Sequence, residues 1–250
     1  MRKVVGVSTT TSCDGVLGTN MAFESDRKGG GPLISAIVLD AFGTIVRISE
    51  RTNPYAALLK EGHRQGLALA PDSTRFVMTA NLSLDRVADH LGIELSPLKR
   101  AELNDLLGQE LSSVEPYPDG LAAIECLQEV GVVIGICSNL AQPYGPVIRK
   151  AFPRVQCHAF SYEVGVMKPE PSIYLAMCRE MGLETSHAEP ENAQARSGVV
   201  MIGDSRKCDR DGPTAVGIEG YYLDRSGMGQ ISDLMQFAVM IIAHNARVEQ

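Results

Sequence analysis

Three apolar runs, each stopping at a small polar or acidic residue, constrain the fold of this chain most. Ile37-Val38-Leu39 runs straight into Asp40. Val132 to Cys137 ends at Ser138-Asn139, and Val199 to Ile202 ends at Gly203-Asp204. A short run without polar alternation suits a strand buried on both faces, as in a parallel sheet. Such sheets bind ligands at the carboxyl ends of their strands. A lone carboxylate there is costly unless something pairs with it, so Asp40 directs attention to partners elsewhere in the chain.

The segments between these strands read as helices. Asp119-Gly120 opens one that carries Leu121, Ile124 and Leu127 and stops at Gly131. Val147 to Phe152 is a short helix, and Cys157 to Tyr162 reads as a strand. Glu170-Pro171 starts a helix reaching Met181. Ile218 to Leu223 is a last strand, and Ile231-Ser232 begins a terminal helix with Leu234, Phe237, Ile241 and Ile242 on one side. Strands alternating with helices imply an α/β fold with a parallel sheet covered on both faces.

Residues 49–115 change character. Asn53-Pro54 is a helix start, with a capping side chain before a proline at the first position. Ser83 opens a second helix. Ser96-Pro97 opens a third, with Leu98, Leu103, Leu106, Leu107 and Leu111 on one face. With no strand pattern between them, these form an all-helical insert. Residues 1–33, rich in loop-forming residues, read as a disordered tail, and Met21 is an alternative start. Thr185 to Ser197 is polar, without period, and reads as an exposed loop.

Composition excludes several classes. A net charge of −7 argues against a nucleic-acid partner. Phe237 to Ala243 is too short to span a bilayer. The six cysteines include no C-x-x-C pair. Cys126, Cys137 and Cys178 fall in apolar segments, which suits a reduced, cytoplasmic protein. The five histidines show no metal-ligand spacing.

The strand ends share one chemistry: Asp40 and Thr44, then Ser138 and Asn139, then Lys168 before Pro169, then Asp204, Ser205 and Asp209. Each alone has a structural explanation, such as a helix cap or a solvated lysine. Together, in this order, the chain resembles the haloacid dehalogenase superfamily of aspartate-nucleophile hydrolases, from about Ile34 onward. Asp40-Ala41-Phe42-Gly43-Thr44 resembles its first motif, Ser138-Asn139 its second, Lys168-Pro169 its third, and Gly203-Asp204-Ser205 through Asp209 its fourth.

The resemblance implies a Rossmann-like core at 34–48 and 116–250 and a helical cap at 49–115. It implies that Asp40 is the nucleophile, that Lys168 sits beside it, and that Thr44, Ser138 and Asn139 bind substrate, with Ser138 also catalytic. Mg²⁺ would be held by Asp40, the backbone carbonyl of Phe42, Asp204 and Asp209. The partner would be a small, anionic metabolite; oligomeric state stays open, a homodimer included.

Two positions depart from the family's pattern in opposite directions. Its phosphatases carry an acid–base aspartate where this chain has Phe42, a group worth roughly 10²–10⁴ in rate. Its dehalogenases carry an aromatic residue there, need no proton for a halide leaving group, and use no metal; their fourth motif is rich in Ser and Asn. Here that motif keeps Asp204 and Asp209. Three clustered carboxylates repel one another, and repel a haloacid, unless a cation sits among them. The balance favours a Mg²⁺-dependent phosphohydrolase acting on a phosphate with a good leaving group, such as an acyl or aryl phosphate. The alternatives are a metal-free dehalogenase and a catalytically weak ligand- or partner-binding member. Phosphonate-cleaving relatives use a cap lysine, but Lys60 and Lys99 match no such context. Arg47, Arg64 and Arg75 read better as solvated faces than as cleft residues.

Overall fold

A computed structural model describes residues 31–183 and 198–250. The tail reading for residues 1–30 and the loop expected from 185 to 197 lie outside the described residues. Five short strands form one parallel sheet in the order β5-β4-β1-β6-β7: β1 (Ala36–Leu39), β4 (Val133–Ser138), β5 (Cys157–Phe160), β6 (Val199–Gly203) and β7 (Glu219–Tyr222). This is a Rossmann-like α/β arrangement. The order places β1 at the centre, with the chain running outward to either side of it, and ligand crevices form where the order reverses.

The period of two along β1 splits the core. Ile37 and Leu39 face a cluster that includes Leu127, Phe237 and Ile241. Those residues come from α5 (Pro118–Glu129) and α9 (Leu234–Val248). Ala36 and Val38 face Ile173, Tyr174 and Met177 of α8 (Pro171–Glu180). With both faces covered, the apolar runs follow directly. Among the described residues no helix is long and apolar enough to cross a membrane.

The insert holds four helices: α1 (Pro54–Arg64), α2 (Ser73–Thr79), α3 (Leu84–His90) and α4 (Pro97–Ser112). Three were expected. The seven-residue α2 buries only Ser73 and Val77, too little to give a helical period. An antiparallel ribbon, β2 (Val46–Ile48) with β3 (Val114–Pro116), joins the two connections to the insert where no strand was expected. Three residues per strand are too few to show alternation.

Smaller corrections have local causes. Leu98 is 81% exposed and leaves the α4 apolar face, because five residues of helical turn place it on the side away from buried Leu103. Asn53 makes no side-chain cap bond; it is left-handed, with φ 55°, and a carboxylate from α4 takes the capping role. The strand predicted from Cys157 to Tyr162 ends at Phe160, where Ser161 begins the one-turn helix α7 (Ser161–Val164). The helix after β4, α6, starts at Tyr144 and runs to Ala151.

Phe237 is 1% exposed and meets Tyr221 edge-on, with ring centroids 5.3 Å apart. Phe237→Ala is expected to lower unfolding free energy by about 3–5 kcal/mol in urea titrations. A loss below about 1 kcal/mol would mean that α9 is not a core element.

Candidate active site

Asp40 is the residue after β1, and its N–H extends the ladder by donating to the Ile202 carbonyl at 3.1 Å. The backbone of the two central strands therefore fixes the carboxylate. Across the crevice Lys168, buried like Asp40, donates from Nζ to Asp40 Oδ1 at 2.6 Å and to Asp209 Oδ1 at 2.7 Å. Burial alone would push the ammonium's pKa down, but the two carboxylates outweigh it and the net shift is upward.

The lysine is itself clamped. Asn139 Oδ1 accepts from the Lys168 N–H at 2.8 Å, and Asn139 Nδ2 donates to the Lys168 carbonyl at 3.0 Å. Strand β4 thereby sets the height of the third motif. Asp209 lies on a π-helical turn, Arg206–Asp211, whose start it caps: Oδ2 accepts from the Ser205 N–H at 2.9 Å, while Ser205 Oγ accepts from the Cys208 N–H at 3.2 Å. Burial raises the Asp209 pKa and Lys168 opposes it. Two donors at under 3 Å can only be matched by acceptor oxygens, so geometry sides with the ionised form.

Thr44 is fully buried. Its hydroxyl donates to Asp40 Oδ2 at 3.4 Å and accepts from the Asp204 N–H at 3.1 Å. The hydroxyl thus bridges the Asp40 carboxylate and the Asp204 backbone. Asn139 likewise spends its amide on Lys168. Both residues are expected to bind substrate; the contacts that the structure shows are to Asp40, the Asp204 backbone and Lys168, and Asn139 also lines the cavity.

Two glycines permit the close approach. A Cβ on Gly203 would lie 2.7 Å from Asp40 Cβ and inside the Asp209 carboxylate. A Cβ on Gly43, with φ 81°, would overlap the Asp204 carboxylate.

The result is an open cavity of about 150 Å³ lined by Asp40, Phe42, Ser138, Asn139, Lys168, Asp204, Ser205, Cys208 and Asp209. Carboxylate oxygens of Asp40, Asp204 and Asp209 lie within 4.8 Å of one another. Asp204 stands at the mouth, where partial burial first, then the charge of Asp40, raises its pKa. Three carboxylates against one ammonium leave two negative charges uncompensated. A divalent cation matches that deficit, and the hard oxygen donors suit it. The nearby Cys137 thiol is no rival nucleophile, because burial pushes its pKa up to about 12.

Sequence reasoning missed the layer behind the site. Arg225 donates to the Gly43 carbonyl at 3.2 Å and the Thr44 carbonyl at 2.5 Å, pairs with Asp119 at 3.0 Å, and lies 3.8 Å over the Tyr117 ring. It follows the end of β7, so the strand-end pattern was its available signal. Arg47, Arg64 and Arg75 make ion pairs with Glu115, Glu61 and Glu170.

The family model of the haloacid dehalogenase-like hydrolases matches residues 34–217. The chain belongs to this family. A HAD phosphatase from Thermococcus onnurineus is 18% identical, with TM-score 0.55, covering 83% of this chain and 98% of that one. A 2-haloacid dehalogenase from Pseudomonas syringae pv. Tomato DC3000 is also 18% identical, with TM-score 0.57, covering 84% and 98%. A HAD family enzyme from Bacteroides thetaiotaomicron, in complex with magnesium and inorganic phosphate, is 17% identical, with TM-score 0.54, covering 79% and 97%. No curated protein matches the sequence. The fold is shared by haloacid dehalogenase-like proteins described as phosphatases and as dehalogenases.

Breaking a buried ion pair from one side strands the other charges. Lys168→Met is expected to lower stability by about 3–5 kcal/mol in metal-free buffer at neutral pH. An unchanged urea midpoint would mean that the ammonium does not bind the carboxylates together.

Proposed function

We propose that the protein is a Mg²⁺-dependent phosphohydrolase that works through an aspartyl-phosphate on Asp40. The observation that carries this reading is the two-charge deficit among Asp40, Asp204, Asp209 and Lys168. Asp40 Oδ2 and the Asp204 carboxylate, with the Phe42 carbonyl, would hold the ion. Asp209, whose oxygens already serve Lys168 and Ser205, supports it through the lysine. When bound, Mg²⁺ offsets charge on the phosphoryl group.

An Asp40 oxygen attacks phosphorus, the bond from phosphorus to the leaving oxygen breaks, and the leaving group departs with the electron pair. Lys168 and Ser138 offset negative charge on the phosphoryl oxygens. Water then cleaves the Asp40 ester and releases inorganic phosphate. Phe42 supplies no proton, so the leaving group must depart as a stable anion. That requirement favours acyl and aryl phosphates over alkyl esters.

A metal-free dehalogenase is the second reading, supported by the aromatic Phe42 alone. The acidic cluster weighs against it, since a haloacid carboxylate would enter an already negative cavity. A member that binds without turnover is the third.

A panel of acyl, aryl and alkyl phosphates, assayed with and without EDTA, separates these. The expected outcome is turnover of acyl or aryl phosphates, lost in EDTA and abolished by Asp40→Asn. Turnover of 2-chloropropionate in EDTA, with none on phosphates, would establish the dehalogenase. Silence on every substrate, with ligand or partner binding intact in Asp40→Asn, would establish the third reading.

A further inference from the structure

Glu110 is an acid in the last turn of the insert's longest helix, α4, yet it is 4% exposed. Burying a carboxylate is costly unless its oxygens are satisfied, and here they are satisfied across two parts of the molecule. Oε2 accepts from the Thr52 N–H at 2.7 Å, the Asn53 N–H at 2.6 Å and the Thr52 hydroxyl at 3.2 Å. These groups form the connection from β2 into α1 and the N-terminus of α1, where an anion is favoured. Oε1 accepts from Tyr144 Oη at 2.7 Å. Tyr144 is the first residue of α6, five residues beyond Asn139. Its ring, 8% exposed, meets Phe42 edge-on, with centroids 5.7 Å apart and planes at 88°. Phe42 is a wall of the reaction cavity.

Of the other contacts of this connection, the Thr52 hydroxyl donates to the Leu106 carbonyl of α4 at 2.7 Å and the rest run along the ribbon. Ser49 N–H donates to the Ser113 carbonyl at 3.1 Å, and Glu50 N–H to Ser113 Oγ at 3.1 Å. Among the described residues, Glu110 is the side chain that joins the α1 entry, α4 and the aromatic pair at the cavity.

We propose that Glu110 is the positioning residue through which the helical insert sets the shape and access of the cavity at Asp40, acting through Tyr144 on Phe42. The inference rests on that cavity being the reaction site. Glu110 touches no reacting atom. With the tyrosine hydroxyl released, the ring behind Phe42 is no longer anchored to the insert, so the cavity opens to solvent and holds substrate less well. The step at phosphorus, made by Asp40 and Lys168, is untouched.

Tyr144→Phe removes only the hydroxyl and keeps the ring against Phe42; Glu110→Ala removes the whole link. Two readouts apply to the full chain. The first is iodoacetamide alkylation of Cys208, which lines the cavity, relative to Cys157, which lies at the far end of β5, followed by peptide mass spectrometry. The second is the split between KM and kcat on the best phosphate of the panel. A hydrogen bond to a buried charge is expected to matter about tenfold. The Cys208 to Cys157 ratio should therefore rise about tenfold, and KM should rise about tenfold while kcat changes by less than about threefold. Folded variants with the wild-type ratio and wild-type KM would overturn the proposal, as would loss of kcat alone. If Glu110→Ala fails to fold, Tyr144→Phe decides. If the wild type turns over no phosphate, the phosphohydrolase reading fails, and the alkylation ratio still decides this one.

Discussion

A single buried ammonium holds the centre of this molecule together. Lys168 Nζ reaches Asp40 and Asp209 at once, at 2.6 and 2.7 Å, from the loop between α7 and α8. Withdrawing such a group from water costs several kcal/mol, and one carboxylate in ideal geometry roughly offsets that cost. A second makes the charged state of the lysine secure and turns the surroundings acidic. Much of the local architecture keeps this arrangement from drifting: the Asn139 clamp on the Lys168 backbone, the Ser205 N–H on Asp209, and glycine at 203, where any side chain would enter the cluster.

The sheet explains why these groups meet at all. β1, β4 and β6 are neighbours in parallel register, so their C-terminal residues Asp40, Ser138 and Asp204 emerge along one edge. The chain changes side at β1, which opens a crevice there. Behind the edge, Arg225 holds the Gly43 and Thr44 carbonyls and leans on both oxygens of Asp119, whose Oδ2 also accepts from the Leu234 N–H at the head of α9. The loop carrying Asp40 and Phe42 is thus pinned from the core side by Arg225 and from the insert side by the Glu110–Tyr144 pair.

Much of this was legible in the residues. The buried strands announced themselves because both faces are covered, and Pro54, Pro97 and Pro171 marked helix starts where a missing N–H costs nothing. The acids and the lysine were visible as polar residues at strand ends. What the pattern could not show was where polar side chains would aim. Thr44 and Asn139 have the chemistry to bind a substrate oxygen, and the fold shows that they also tie together Asp40, the Asp204 backbone and Lys168. Glu110 carries no signal of its own in the sequence, because a helical period reports average burial and cannot single out one buried carboxylate. The ribbon and α2 were too short to leave a period at all.

Calorimetric titration of the metal-free protein with magnesium chloride, beside Asp204→Ala, tests the account where it is most exposed. If two uncompensated charges define this crevice, the wild type takes up one Mg²⁺ per chain, and the variant binds it at least about tenfold more weakly. Absence of any uptake by the wild type, or equal affinity in the variant, would contradict it.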